Sequence, residues 1–156
     1  MRFFTDQATL DAALSALQIL EGPRCSLVSA EVPLISNLDV CRNIALIYQY
    51  HRDASKKYAL DFVRQCLQRF GLEKIAHKKN PELSNEERFY VMLLRAAMIE
   101  RAVIAIDCPF RMLLYNNDRD FIYEALEKID DLFVRCEIFD YDQEKQKNGL
   151  IHDSKN

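Results

Sequence analysis

Few residues in this chain have a type and spacing that could do chemistry. The run "AVIAID", 102 to 107, ends in Asp107, and Cys108, Pro109 and Phe110 follow directly. A carboxylate at the end of a buried strand could hold Mg²⁺, and a thiol facing a cleft becomes nucleophilic when cations lower its pKa. Asp107 is one carboxylate by itself, however, and no cation is assigned to Cys108 by spacing, so the plainer reading is a small residue at an exit turn. Ser84 lies three residues before Glu87, the spacing of a helix capping box. The five cysteines (Cys25, Cys41, Cys66, Cys108, Cys136) form no CxxC pair, and His51, His77 and His152 are scattered. That pattern predicts reduced, mostly buried thiols and neither a metal site nor a hydrolytic triad.

Positioning these residues requires alternating strands and helices. "MRFF" suits a strand end, and Leu10, Ala13, Leu14 and Leu17 recur at helical spacing until Gly22-Pro23 stops the helix. "RCSLVSA" reads as a buried strand, and Asp39 can cap a helix running to about residue 50. Ala59, Phe62, Val63, Cys66, Leu67 and Phe70 mark a helix over about 55–70 that Gly71 ends, with the apolar stripe as core. After Ser84 an apolar helix to about residue 99 leads into "AVIAID", a strand of the parallel type. A helix over 118–129 and a strand in "LFVRCEIF" complete the pattern. The expected fold is α/β, with layers around a small parallel sheet.

At 156 residues the chain is one domain by length, and 49% apolar with 29% charged residues is ordinary globular composition. A net charge of −3 supplies no attraction for nucleic acid or an anionic membrane. No apolar run reaches the roughly 18 residues that span a bilayer, and no basic-then-apolar leader opens the chain. The expectations are a cytoplasmic protein without direct membrane insertion, a domain over 1–144 and a polar tail over 145–156.

From Val28 to Phe110 the sequence resembles the nucleotide-binding subunit of ABC transporters, most closely the bacterial branch that drives lipid-transport permeases. "PLISNLDVCRNIAL" is similar to the family's "LLPHLTVRENVAL". "ALDFVRQCLQRFGLEKIAHKKNPELSNEER" resembles its helical subdomain ending in the "LSGGE" signature, and "VMLLRAAMIERAVIAIDCPF" resembles its "LLLLDEPF" strand. The resemblance implies a P-loop-NTPase-like core, truncated at the N-terminus, with a helical subdomain over about 39–100.

It also implies that the catalytic groups are gone. Asp6, Gln7 and Ala8 stand where the phosphate loop has Gly, Lys and Ser, and no glycine precedes Gly22. Such a loop needs glycines to close backbone N–H groups around the phosphates, and a Lys charge. Ala30 replaces the Q-loop Gln, Asn85 and Glu86 replace the signature glycines, and Cys108 replaces the water-polarising Glu. No switch His appears in or after "LFVRCEIFDYD", and "RMLLYNND" carries no recognisable D-loop. Gln7, Ser84, Asp107 and Cys108 are then vestigial nucleotide or Mg²⁺ positions, with no catalytic residue, no bound metal and no cofactor.

What the resemblance leaves is a pseudo-ATPase: an accessory or structural subunit bound to a membrane permease or an ABC-ATPase subunit, peripheral to the inner membrane through that partner. The expected docking residues are Pro33, Leu34, Ile35, Leu38 and Asn43, because apolar loop residues flanked by polar ones often mark a contact surface. The alternatives are a free-standing cytoplasmic regulatory module that reuses the fold and, less favoured, an active ATP-binding transporter subunit.

Overall fold

The computed structural model describes residues 1–113 and 119–141. The chain runs β1 (Arg2–Phe4), α1 (Gln7–Glu21), β2 (Cys25–Val28), α2 (Val40–Arg52), α3 (Lys56–Arg69), α4 (Asn85–Ala97), β3 (Ala102–Asp107), α5 (Pro109–Met112), α6 (Arg119–Glu127) and β4 (Phe133–Tyr141), with short 3₁₀ turns between. The four strands form one sheet in the order β1-β4-β3-β2, and every pairing is parallel. The expected tail over 145–156 and part of "RMLLYNND" lie outside the described residues.

Helices α1 to α4 each start where a side chain can accept an orphan N–H group. Asp6 accepts from Thr9 N, Asp39 from Arg42 N and Ser55 from Tyr58 N. Ser84 and Glu87 make the reciprocal capping box that their spacing predicts. Gly22, at φ 55°, closes α1 in a left-handed conformation that a β-carbon would strain.

β3 is buried along "AVIAI" because it lies between β4 and β2 with helices on both faces. On one face, α1 packs Leu10, Leu14 and Leu17 against Val103, Ala105, Phe139 and Tyr141. The other face carries the larger core. There α2, α3 and α4 bury Ile44, Val63, Cys66, Leu67, Phe89, Leu93 and Leu94 against Ile104, Ile106 and Ile138. The stripe in α3 is core as expected, with Ala59, Val63, Cys66 and Leu67 buried. α4 buries seven residues because it lies between the sheet and α2.

Two expected docking residues prove to be internal. Leu34 is 4% exposed and belongs to the larger core. Asn43 is buried and laces the preceding loop: its side chain accepts from Ile35 N at 2.8 Å and donates to Ile35 O, Leu38 O and Asp39 O at 3.0–3.1 Å. Pro33 and Ile35 are exposed and Leu38 is half-buried, so the five side chains do not form one surface. The physical reason is direction. The loop turns Leu34 into the core while residues 31–33 and 35–37 face solvent, and Asn43 satisfies backbone groups of the loop and of the start of α2.

Candidate functional site

In open parallel sheets, ligands sit outside the carboxyl ends of the strands. Here that edge is a cleft of about 360 Å³ lined by Gln7 and Asp11 of α1, by Ser29, Ala30 and Glu31 after β2, and by Asp107, Cys108 and Arg111. The fold therefore brings Gln7, Asp107 and Cys108 together. Ser84 is not among the lining residues; its hydroxyl accepts from Glu87 N at 3.1 Å as a helix cap.

Asp107 ends β3. Its Oδ2 accepts from the Ser29 hydroxyl at 2.8 Å, and Ser29 in turn accepts from Glu31 N at 3.2 Å. Asp107 Oδ1 is buried without a partner among the described residues. Cys108 takes φ 46°, a left-handed turn unusual for a residue other than glycine, and its amide donates to Phe139 O at 2.8 Å. Burial pushes its thiol up to about 12, and the Asp107 carboxylate adds to the shift as acceptor and as charge. A thiol held that far up is protonated at neutral pH and is no nucleophile.

The register of β4 on β3 pairs Asp107 with Phe139, which sets Asp140 beside the site. Asp140 is 5% exposed, accepts from Tyr141 N at 2.7 Å through Oδ1, and has Oδ2 unpartnered among the described residues. Burial holds its carboxyl above the usual carboxylate range, and the Asp107 charge pushes the same way. Next to it, the Tyr141 hydroxyl bonds the Gln7 side-chain oxygen, and Gln7 Nε2 donates to Asp11 Oδ1 at 2.6 Å. The Arg111 guanidinium lies 4.9 Å from the Tyr141 ring centroid and is the one cation among the described lining residues.

The start of α1 is closed by its own side chains. Asp6 Oδ1 accepts from Thr9 N at 2.9 Å, and that hydrogen bond holds the Asp6 carboxyl below its ordinary value. The end of a helix that attracts anions is thus already supplied with one. Among the described residues no group of three or more His, Cys, Asp and Glu is arranged to hold a metal ion.

Ser29, Arg111, Asp140 and Tyr141 were not singled out by spacing. Ser29 directly follows a recognisable strand, and Arg111 lies four residues after the end of another. Asp140 and Tyr141 enter through strand register, which has no local signal.

A second recess, of about 340 Å³, adjoins the first. Asn80, Asn85, Arg88, Phe89 and Met92 line it with Pro33 and Met112, and Ala30 and Arg111 border both. The loop wall is tied to α4 by Arg95, whose guanidinium donates to Pro33 O at 3.0 Å and Val32 O at 2.9 Å. No described helix is long and apolar enough to cross a membrane.

No family model matches the sequence, and no curated protein does. Among solved structures, the chain is similar to the dimeric structure of MJ0796, a bacterial ABC transporter cassette. The identity is 20% and the TM-score 0.60, over 85% of this chain and 59% of that one. It is also similar to the same cassette in a dimeric post-hydrolysis state bound to ADP and Pi, at 19% identity and TM-score 0.58, over 84% of this chain and 58% of that one. The chain thus spans less than two thirds of the cassette. Likeness at this identity concerns architecture, and with the parallel sheet and its helical layer it establishes that this chain has the α/β fold of an ABC transporter ATP-binding cassette.

Proposed function

We propose that this chain is a non-catalytic, ABC-ATPase-like protein, an accessory or structural subunit that binds a permease or ATPase partner of a transport system. Lipid transport is the branch its helical segment resembles. The observation that carries the reading is the content of the cleft at the strand ends. Phosphoryl transfer is positioning plus electrostatic stabilisation, and needs cationic groups and backbone N–H donors around the phosphates. At this edge stand Asp11, Glu31 and Asp107 with a single guanidinium, Arg111. The Asp6 carboxylate caps the helix that would face the phosphates, and the first residue of that helix, Gln7, is bonded by the Tyr141 hydroxyl. A solved cassette of similar fold is described with ADP and Pi bound; in this chain the acidic edge repels a polyanion.

A thermal-shift titration with millimolar Mg-ATP tests this. The melting temperature should not move. A ligand at about 100 times its dissociation constant would add about 2.7 kcal/mol of stability, well within detection. A saturable upward shift would overturn the reading.

A further inference from the structure

The recess beside the acidic cleft has the opposite character. Among the described residues no Asp or Glu lines it. Arg88 reaches it from α4, and among the described residues its guanidinium bonds neutral oxygens only: Nε to Asn80 Oδ1 at 2.8 Å, Nη1 to Asn85 Oδ1 at 3.1 Å, and Nη2 to the Asn80 and Leu83 carbonyls at 3.2 and 3.1 Å. Four bonds fix the group in place without cancelling its charge. Arg111 brings a second guanidinium to the same recess. The floor is apolar: Phe89 is 1% and Met92 3% exposed, and half-buried Met112 adds a second flexible thioether.

A cavity of this size, with an apolar floor and a few convergent polar groups, has the composition of a small-molecule site. We propose that it binds a small amphipathic monoanion, a carboxylate on a short aliphatic body, with the carboxylate between Arg88 and Arg111 and the chain over Phe89 and Met92. Of the five N–H groups of Arg88 four are engaged and one, on Nη1, is left for a carboxylate oxygen, and a guanidinium that is already immobilised loses little freedom on binding. Nucleotide polyphosphates fit poorly here, since the recess opens beside Asp107 and Glu31 through the shared Arg111.

The experiment is isothermal titration of the full chain with sodium octanoate, with octylamine and acetate as paired probes. Octanoate should bind saturably with one site per chain. Octylamine, with the same body and the opposite charge, should give no saturable heat, and acetate, a head without a body, should bind at least tenfold more weakly. Two variants locate the site. Arg111→Gln changes an exposed side chain and should weaken octanoate at least tenfold. Asn85→Asp places a carboxylate against Arg88 at the first turn of α4, a position that favours negative charge. It should keep the fold, as read by circular dichroism, and lower affinity by a similar factor. Absence of saturable octanoate binding overturns the proposal, as does equal binding of octylamine or undiminished affinity in either folded variant.

Discussion

Two recesses share Arg111 and Ala30 yet carry opposite charge. The cleft at the strand ends collects carboxylates: Asp107 and Glu31, Asp11 from α1, with Asp140 buried just behind. The recess under α4 collects guanidinium and amide groups over an apolar floor. The backbone frame is that of an ATP-binding cassette in both places. The difference shows that the frame does not set the chemistry. Strand ends and helix starts converge on the same edge whatever side chains they carry, and this chain places Asp11, Glu31 and Asp107 there.

The contrast can be broken hardest at Cys108. Cys108→Glu places a carboxylate at the exit of β3 beside Asp107 and Asp140, each with a buried oxygen that has no partner among the described residues. An uncompensated buried charge costs on the order of 3–5 kcal/mol. Urea unfolding should show a loss of that size, and a phosphate-release assay should show no ATP turnover, because water activation is useless before phosphates and Mg²⁺ are positioned. Turnover in this variant would mean the acidic cleft accepts nucleotide after all.

The loop between the recesses gives the next effect. Leu34→Ala removes a core side chain and should cost about 2–5 kcal/mol. Ile35→Ala, at a side chain 40% exposed, should change stability by no more than about 0.5 kcal/mol. Equal costs at the two positions would contradict the burial of Leu34 and the exposure of Ile35.

Asp140 sharpens the comparison through pH. Its folded-state pKa is raised, so its contribution to stability is fully present below the unfolded value of about 3.9 and is lost as pH rises through the folded value. Asp140→Asn removes the ionisation and should therefore raise the melting temperature at pH 8 more than at pH 4, by scanning calorimetry. A gain that grows as pH falls would mean the carboxylate is stabilised as an anion.

The smallest expected effect is an absence of reaction. With its thiol pushed up to about 12 and only 3% exposed, Cys108 should resist iodoacetamide at pH 8 in the folded protein and react only in denaturant, as read by peptide mass spectrometry. Rapid labelling of Cys108 would place a cation beside it and revive a chemical role.

Much of this was legible in the residues themselves. Leucines at helical spacing in α1, the stripe in α3 and the Ser84–Glu87 capping box are local patterns, and local patterns decide local structure. The continuous apolar run of β3 marks a strand covered on both faces. The site was half legible. Gln7, Asp107 and Cys108 stand at the ends of recognisable elements, and those ends meet in one cleft. Leu34 and Asn43 were misread because composition shows an apolar loop residue and a polar helix residue, without saying which way either points.

By itself, the sequence determined the alternation of strands and helices, their caps, and the lack of a glycine-rich loop or a paired lysine before α1. These depend on propensity, capping and residue type within a few positions. Only the tertiary structure decided which carboxylates face one another. Asp140 comes beside Asp107 through the parallel register of β4 on β3, and Tyr141 meets Gln7 across 134 positions of sequence. Arg88 and Arg111 share a recess through the packing of α4 against the sheet. Long-range pairing is selected by burial of the whole core, and no short stretch of residues encodes it.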